Sequence, residues 1–297
     1  MQITDEEFSA ITRRIHAETG IVIGDAKRSL LVARLSSRLD ALRLPDFGAY
    51  ARLLDSPDGG DERRALVSAI TTNVTRFFRE PHHFEALAAM APHLLEKARS
   101  GTRIRIWSAG CSTGQEAFSI AATLLEHAPG IDQCDTRILA TDIDPQVIET
   151  ARQGRYDARQ IGPETPDYFR RFVRTQADGT VKAMQNLAGL IRFEVLNLMD
   201  PWPFSGKFDI VFCRNVVIYF DPATRQRLWR RIAERIVPGG TLFIGHSERM
   251  DQDLATLYEP AGITRYRRTA NDGTGDTRAR GQPLETAGTG ACHSEIH

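Results

Sequence analysis

No apolar run in this chain of 297 residues approaches the roughly 20 residues that a membrane-spanning helix needs. Its first residues also lack the basic, apolar and small-residue pattern of a secretory signal. Membrane insertion is therefore not expected. Net charge is missing as well: 38 basic residues balance 38 acidic ones, so no overall field favours nucleic acid. The cysteines Cys111, Cys134, Cys213 and Cys292 form no C-x-x-C pair and no metal or disulfide spacing. That pattern predicts a protein of a reducing compartment, the cytoplasm, with no metal site. No internal repeat is present. The length suffices for two domains with a sizeable core.

What is present centres on residues 103–116. Ile104, Ile106 and Trp107 read as a buried strand. The small residues Ser108 to Gly114 follow, then a helical pattern through Ala117, Phe118, Ile120, Ala121, Leu124 and Leu125. Strand, small-residue loop and helix open a nucleotide-binding α/β sheet, and the loop is expected to be small because a ligand lies against its backbone. A second strand, Ile138–Thr141, ends in Asp142, placed to accept hydrogen bonds from ribose hydroxyls. Asp144, just before Pro145, reads as a helix cap. The loop is Gly-x-x-x-Gly, and the spacing from Gly114 to Asp142 exceeds that of the dinucleotide fingerprint. Both features favour S-adenosylmethionine over a nicotinamide cofactor.

Upstream, residues 1–75 read as helices. Phe8, Ile11, Ile15 and Ile21 begin an amphipathic pattern. Asp25 is expected to cap a second helix running to about Leu44, with Leu31, Leu35, Leu39 and Leu42 on one face and Lys27, Arg34 and Arg38 as a stripe beside it. That stripe is either a solvated face or a docking surface for an acidic partner. Further helices fit 47–54 and 62–70. The segment 71–80 has no period and is either a domain linker with incidental polarity or a cover for a ligand, with Arg79 able to hold a carboxylate; Pro81 starts a helix through about Lys97, within a linker region 76–100.

Downstream, 101–268 should hold the rest of the sheet. Residues 154–190 are too long for a plain connection and carry an Asp178-Gly179 turn, so they are expected to form a small antiparallel insertion. Strands are expected at 191–196, 208–213, 241–245 and 264–268, with a helix from Pro222 to about Ile236 and a turn at Pro238-Gly239-Gly240. His246-Ser247-Glu248 reads as a structural polar cluster, since Ser and His side by side do not form a nucleophile–base pair. Residues 269–297 are expected to be a disordered tail.

Five motifs together identify a family. They are Thr-Thr-Asn-Val-Thr-Arg-Phe-Phe-Arg-Glu (71–80), Trp-Ser-Ala-Gly-Cys-Ser-Thr-Gly-Gln-Glu (107–116), Ala-Thr-Asp-Ile-Asp (140–144), Phe-Cys-Arg-Asn-Val-Val-Ile-Tyr-Phe (212–220) and Gly-His-Ser-Glu (245–248). Over residues 5–268 the chain closely resembles the CheR-type chemotaxis receptor methyltransferases. The resemblance implies an all-α N-terminal domain, then an α/β, Rossmann-like S-adenosylmethionine-dependent methyltransferase domain with a small β-subdomain. It implies methyl transfer from S-adenosylmethionine to glutamate side chains on the cytoplasmic helices of chemoreceptors, with S-adenosylhomocysteine as the product. Asn73, Thr75, Arg79, Glu116, Asp142, Asn197, Leu198, Arg214 and Asn215 match cofactor-contacting positions. Arg79 and Tyr219 match candidates for orienting the substrate, and Lys27, Arg34 and Arg38 lie on the helix implicated in receptor docking. In some members the β-subdomain tethers a receptor's C-terminal peptide. The chain departs from the common Gly-Cys-Ser-Thr-Gly-Glu-Glu-Pro-Tyr loop at Gln115, Ala117 and Phe118 but keeps Glu116. The alternative from another class is a non-catalytic S-adenosylmethionine or S-adenosylhomocysteine binding module that signals through partners.

Overall fold

The computed structural model describes residues 2–71 and 73–270. The expected tail at 269–297 falls, from residue 271, outside the described residues. Among these, no helix is long and apolar enough to cross a membrane.

Four helices come first: α1 (Asp5–Thr19), α2 (Arg28–Leu42), α3 (Phe47–Asp55) and α4 (Gly60–Ile70). Thr4 and Glu7 close a capping box on α1, and Gly20 ends it in the left-handed region at φ +73°. Asp25 does not cap α2. It opens a short 3-10 turn, and its carboxylate pairs with Arg28 at 3.1 Å instead. Arg43, at φ +55°, stops α2 before Pro45 is reached. Leu31, Leu35 and Leu39 pack with Phe8, Ile11 and Tyr50 in one core. Leu42, expected on the same face, is exposed because it is the last helical residue, outside that core.

The second layer begins before its first strand. Phe77 and Phe78, which the sequence places in an irregular covering segment, are buried in the core of the sheet domain. α5 (His82–Arg99) follows them and packs its Phe84, Leu87 and Ala91 into the same core. The chain then alternates: β1 (Ile104–Ala109), α6 (Gln115–His127), β2 (Thr136–Asp142) and α7 (Pro145–Gln153). β3 (Arg155–Asp157), β4 (Val173–Thr175) and β5 (Thr180–Ala183) form a separate antiparallel sheet in the order β3-β5-β4. This is the expected insertion, with Gly179 at the turn between β4 and β5. α8 (Gln185–Ala188), β6 (Ile191–Val195), β7 (Phe208–Cys213), α9 (Pro222–Arg235), β8 (Ile236–Ile244), β9 (Tyr258–Gly262) and β10 (Arg265–Arg268) complete the chain.

The large sheet has seven strands in the order β6-β2-β1-β7-β8-β10-β9. β6, β2, β1, β7 and β8 run parallel, and β10 is antiparallel to both its neighbours. Two expectations need correction. Pro238-Gly239-Gly240 is not a turn ahead of a strand but lies inside β8, where the register against β7 shifts. β9 was not expected, because Pro260 and Gly262 disguise it; proline is tolerated there because the strand is an edge. The sequence runs outward from β1 to β2 and β6 on one side and continues at β7 on the other. The carboxyl ends of β1 and β7 therefore flank the switch point, where open α/β sheets bind ligands.

Candidate cofactor and active site

The loop after β1 turns on three left-handed residues: Gly110 at φ +83°, Ser112 at +51° and Gly114 at +97°. A Cβ at Gly110 would stand 2.3 Å from Val216, and one at Gly114 would stand 2.9 Å from both Ala151 and Tyr156. The closest pressure for glycine here thus comes from packing of the protein on itself. Asp142, at the end of β2, holds the loop. One carboxylate oxygen accepts from the Ser112 N–H at 2.8 Å and the other from the Asp144 N–H at 3.1 Å. Burial raises its pKa, and these backbone hydrogen bonds oppose the rise. Each oxygen keeps a lone pair for a ligand hydroxyl.

Asp144 caps α7 through the Gln146 N–H at 2.9 Å, and it does more. It accepts from Ser68 of α4 at 2.6 Å and from the side-chain amide of Asn73 at 3.0 Å. The Asn73 carbonyl in turn accepts from the Ser112 hydroxyl at 2.9 Å. Asn73 therefore joins Asp144 through its side chain to the glycine-rich loop through its backbone carbonyl. Asn197 makes a link on the other side: its amide donates to the Glu18 carbonyl at 2.7 Å, and its oxygen accepts from the Met199 N–H. Gly20, Ile21 and Val22 run between these links, with an Ile21–Phe220 bridge and a Val22 N–H to Tyr219 carbonyl bond of 2.8 Å.

Beneath the loop lies a buried charge network. Arg214, at the end of β7, donates to Glu116 at 3.1 Å and to the Arg79 carbonyl, and it stands 3.3 Å from the Glu80 carboxylate. Glu116 also accepts from the Ser108 hydroxyl at 2.6 Å. Burial pushes the Glu116 pKa up, and Arg214 opposes that shift. Glu80, missed as a site residue, closes the motif at 71–80; that position is its only sequence signal. Glu80, His82 and His83 bring ligand-type atoms within 4.8 Å of one another. Arg214 already supplies a cation there, so this group reads as part of the charge network. Burial, aided by Arg214, pushes His83 down to about 2, so it is neutral.

The following segment is ordered from below. Glu248 accepts from the backbone N–H groups of Val216 and Val217, both at 3.0 Å, and from that of Gly245. This agrees with a structural role for 245–248. Asn215 takes φ +59° and lies so close to Gly245 that a Cβ there would meet its side-chain amide at 2.5 Å. Gln115 is buried, accepts from the Thr113 hydroxyl at 2.8 Å and donates to Gln160 at 3.1 Å. It links the loop to the residues around the small sheet.

These elements enclose a cavity of about 300 Å³ at the switch point, at the lower end of the ~300–1,000 Å³ of small-molecule sites. Asn73, Thr75, Arg79, Glu116 and Asp142 all line it, as do Asn197, Leu198, Arg214, Asn215 and Tyr219. The expected basic stripe divides. Lys27 lines the cavity with its ammonium 5.3 Å from the centre of the Tyr219 ring. Arg34 also lines it, but donates to the Ile70 and Thr71 carbonyls at 2.7 and 3.2 Å, at the end of α4. Arg38 lies outside it, paired with the buried Glu62, which also accepts from Tyr50 at 2.9 Å. A stripe of three free cations is thus not what the fold presents.

A mostly parallel sheet with a glycine-rich loop, a carboxylate at the end of β2 and a helical cap over the switch point defines a cofactor-binding α/β domain. Comparison with known proteins makes this specific. Residues 73–267 match the family described as CheR methyltransferase, SAM binding domain, and residues 6–71 match CheR methyltransferase, all-alpha domain. A probable chemotaxis protein methyltransferase of Rhizobium etli is 45% identical over 86% of this chain and 97% of its own. The chemotaxis protein methyltransferase of Escherichia coli K12 is 42% identical over 90% of this chain and 92% of its own. That of Salmonella typhimurium LT2 is 40% identical over 90% and 91%. The chain belongs to the CheR methyltransferase family and is an S-adenosylmethionine-dependent methyltransferase.

The cavity fits that cofactor chemically. Asp142 offers acceptors for ribose hydroxyls, Leu196 and Leu198 offer an apolar wall for a base, and Arg79 offers a cation for the amino-acid carboxylate.

Proposed function

We propose that this chain methylates glutamate side chains on the cytoplasmic helices of chemoreceptors, forming glutamate 5-O-methyl esters and leaving S-adenosylhomocysteine. When bound, S-adenosylmethionine supplies a methyl group already activated by its sulfonium. A glutamate carboxylate, with a reference pKa of about 4.3, is anionic near neutral pH and needs no general base. The chain's own task is then alignment and exclusion of water. Asp142, Glu116 and the wall at 196–198 hold the cofactor, Arg79 holds a carboxylate, and Tyr219 orients the target glutamate.

One observation carries this reading above a non-catalytic binding module. Among the described residues, Lys27 has no carboxylate partner and the Tyr219 hydroxyl has no hydrogen bond, yet both line the cavity and neither is assigned to the cofactor. A module that only senses its cofactor has no need of spare groups for a second, anionic ligand. The reaction belongs in the cytoplasm, where those receptor helices lie. β4, an outer strand of the small sheet, suits addition of an extended receptor tail.

The test is transfer of labelled methyl from S-adenosylmethionine to membranes carrying the organism's chemoreceptors, with and without receptor glutamates changed to alanine. Base-labile label that disappears with those glutamates is expected. Tight cofactor binding without label would favour the binding module.

A further inference from the structure

Seven large hydrophobic side chains are exposed among the described residues: Val22, Leu30, Leu42, Val74, Val195, Ile218 and Ile263. Three of them line the switch-point cavity: Leu30 at 48% exposure, Val74 at 79% and Ile218 at 47%. They come from three different elements, namely α2, the 73–79 segment and the 3-10 turn Val217–Tyr219. Single exposed apolar residues need no explanation, but convergence of separate elements on one opening does. Lys27, one helical turn before Leu30, and Arg79 stand among them without carboxylate partners among the described residues.

We infer that Leu30, Val74 and Ile218 form an apolar collar that seats the substrate helix, gripping apolar side chains one turn to either side of the target glutamate while Lys27 meets an acidic residue beyond them. The inference rests on the reading of the substrate given above. Its basis is complementarity. The target carboxylate must enter through the opening, so its neighbours on the helix press on the rim. Residues three and four positions away share the target's face. An apolar rim with cations beside it matches a helix whose face is apolar around one glutamate and acidic further along. The collar also shuts water out of the opening once the helix is seated.

The experiment uses the full chain with Leu30→Gln, Val74→Ser and their double variant, assayed on receptor membranes at low and high salt, with S-adenosylmethionine affinity measured separately. The double variant should raise KM for receptor about tenfold at both salt concentrations, with cofactor affinity unchanged. Lys27→Gln should raise KM at low salt and much less at high salt, where exposed charges are screened. Unchanged KM in the double variant would overturn the collar while leaving the substrate reading intact. So would a parallel loss of cofactor affinity, which would make these residues part of the cofactor cavity. Wild-type chain that labels no receptor would remove the substrate reading and the collar with it.

Discussion

At the floor of the cavity Glu116, Arg214 and Glu80 engage one another, whereas at its mouth Lys27, Arg79 and Tyr219 have no carboxylate partner among the described residues. The floor is buried and stitched to β1, β7 and the start of α5; the mouth is half-open and rimmed by exposed Leu30, Val74 and Ile218. The contrast separates two tasks. A cofactor of constant shape is best met by groups whose positions are settled before it arrives, because ordering them then costs nothing at binding. A helix on a large partner is best met by groups still free to adjust. One residue can serve both ends: the backbone carbonyl of Arg79 is held from below by Arg214 while the residue also lines the cavity.

The strongest way to break this division is to empty the floor. Arg214→Ala leaves the largely buried Glu116 and Glu80 side by side with no cation between them. Removing one partner from a buried ion pair costs about 3–5 kcal/mol. The variant should unfold at markedly lower denaturant, and its cofactor affinity should fall with it. Arg214→Lys restores the charge without the planar fork and should recover part of the stability. Normal stability in Arg214→Ala would mean that the network is not what orders the floor.

Acting on the mouth alone should give a smaller effect of a different kind. Tyr219→Phe removes one hydroxyl that has no partner among the described residues, so stability and cofactor affinity should stay as they are. Turnover on receptor should fall about tenfold, the equivalent of about 1.4 kcal/mol of transition-state stabilisation. An unchanged rate would take Tyr219 out of the substrate's path.

Much of the floor was legible in the sequence, because its parts lie at strand ends that local pattern locates. Ile104–Trp107 and the small residues after it gave β1 and its loop, and Asp142 sits at the predicted end of β2. What was hidden depends on segments distant in sequence. Asp144 read as a cap and is one, but Ser68 and Asn73 reach it only because the helical domain folds back onto α7. Arg38 read as part of a basic stripe, because spacing cannot show that Glu62, two helices later, would be buried beneath it. Gly110 and Gly114 were expected from ligand contact, and the nearer constraint is Val216, Ala151 and Tyr156. β9 escaped because proline and glycine argue against a strand unless its edge position is known.

The finest test lies where the mouth segment meets the helical domain. Asp221, two residues after Tyr219, caps α9 through Thr224 at 2.9 Å and is 2.9 Å from the His16 ring of α1. The hydrogen bond from His16, then those from Thr224, hold its pKa well below the usual carboxylate range. A depressed carboxylate stabilises the fold above its unfolded pKa of about 3.9, and that contribution is lost as pH falls through the folded value. Asp221→Asn keeps a good helix cap and removes the charge. Because the pair is partly exposed, the variant should lose only about 0.5 kcal/mol at neutral pH, measured by denaturant unfolding. That gap should close as wild type is acidified through the depressed pKa. The floor is untouched by the change, so cofactor affinity should hold. If Asp221 also anchors the mouth, KM for receptor should rise modestly. A gap that persists at acid pH would mean that the substitution disturbed packing, and that charge is not what ties the mouth to α1.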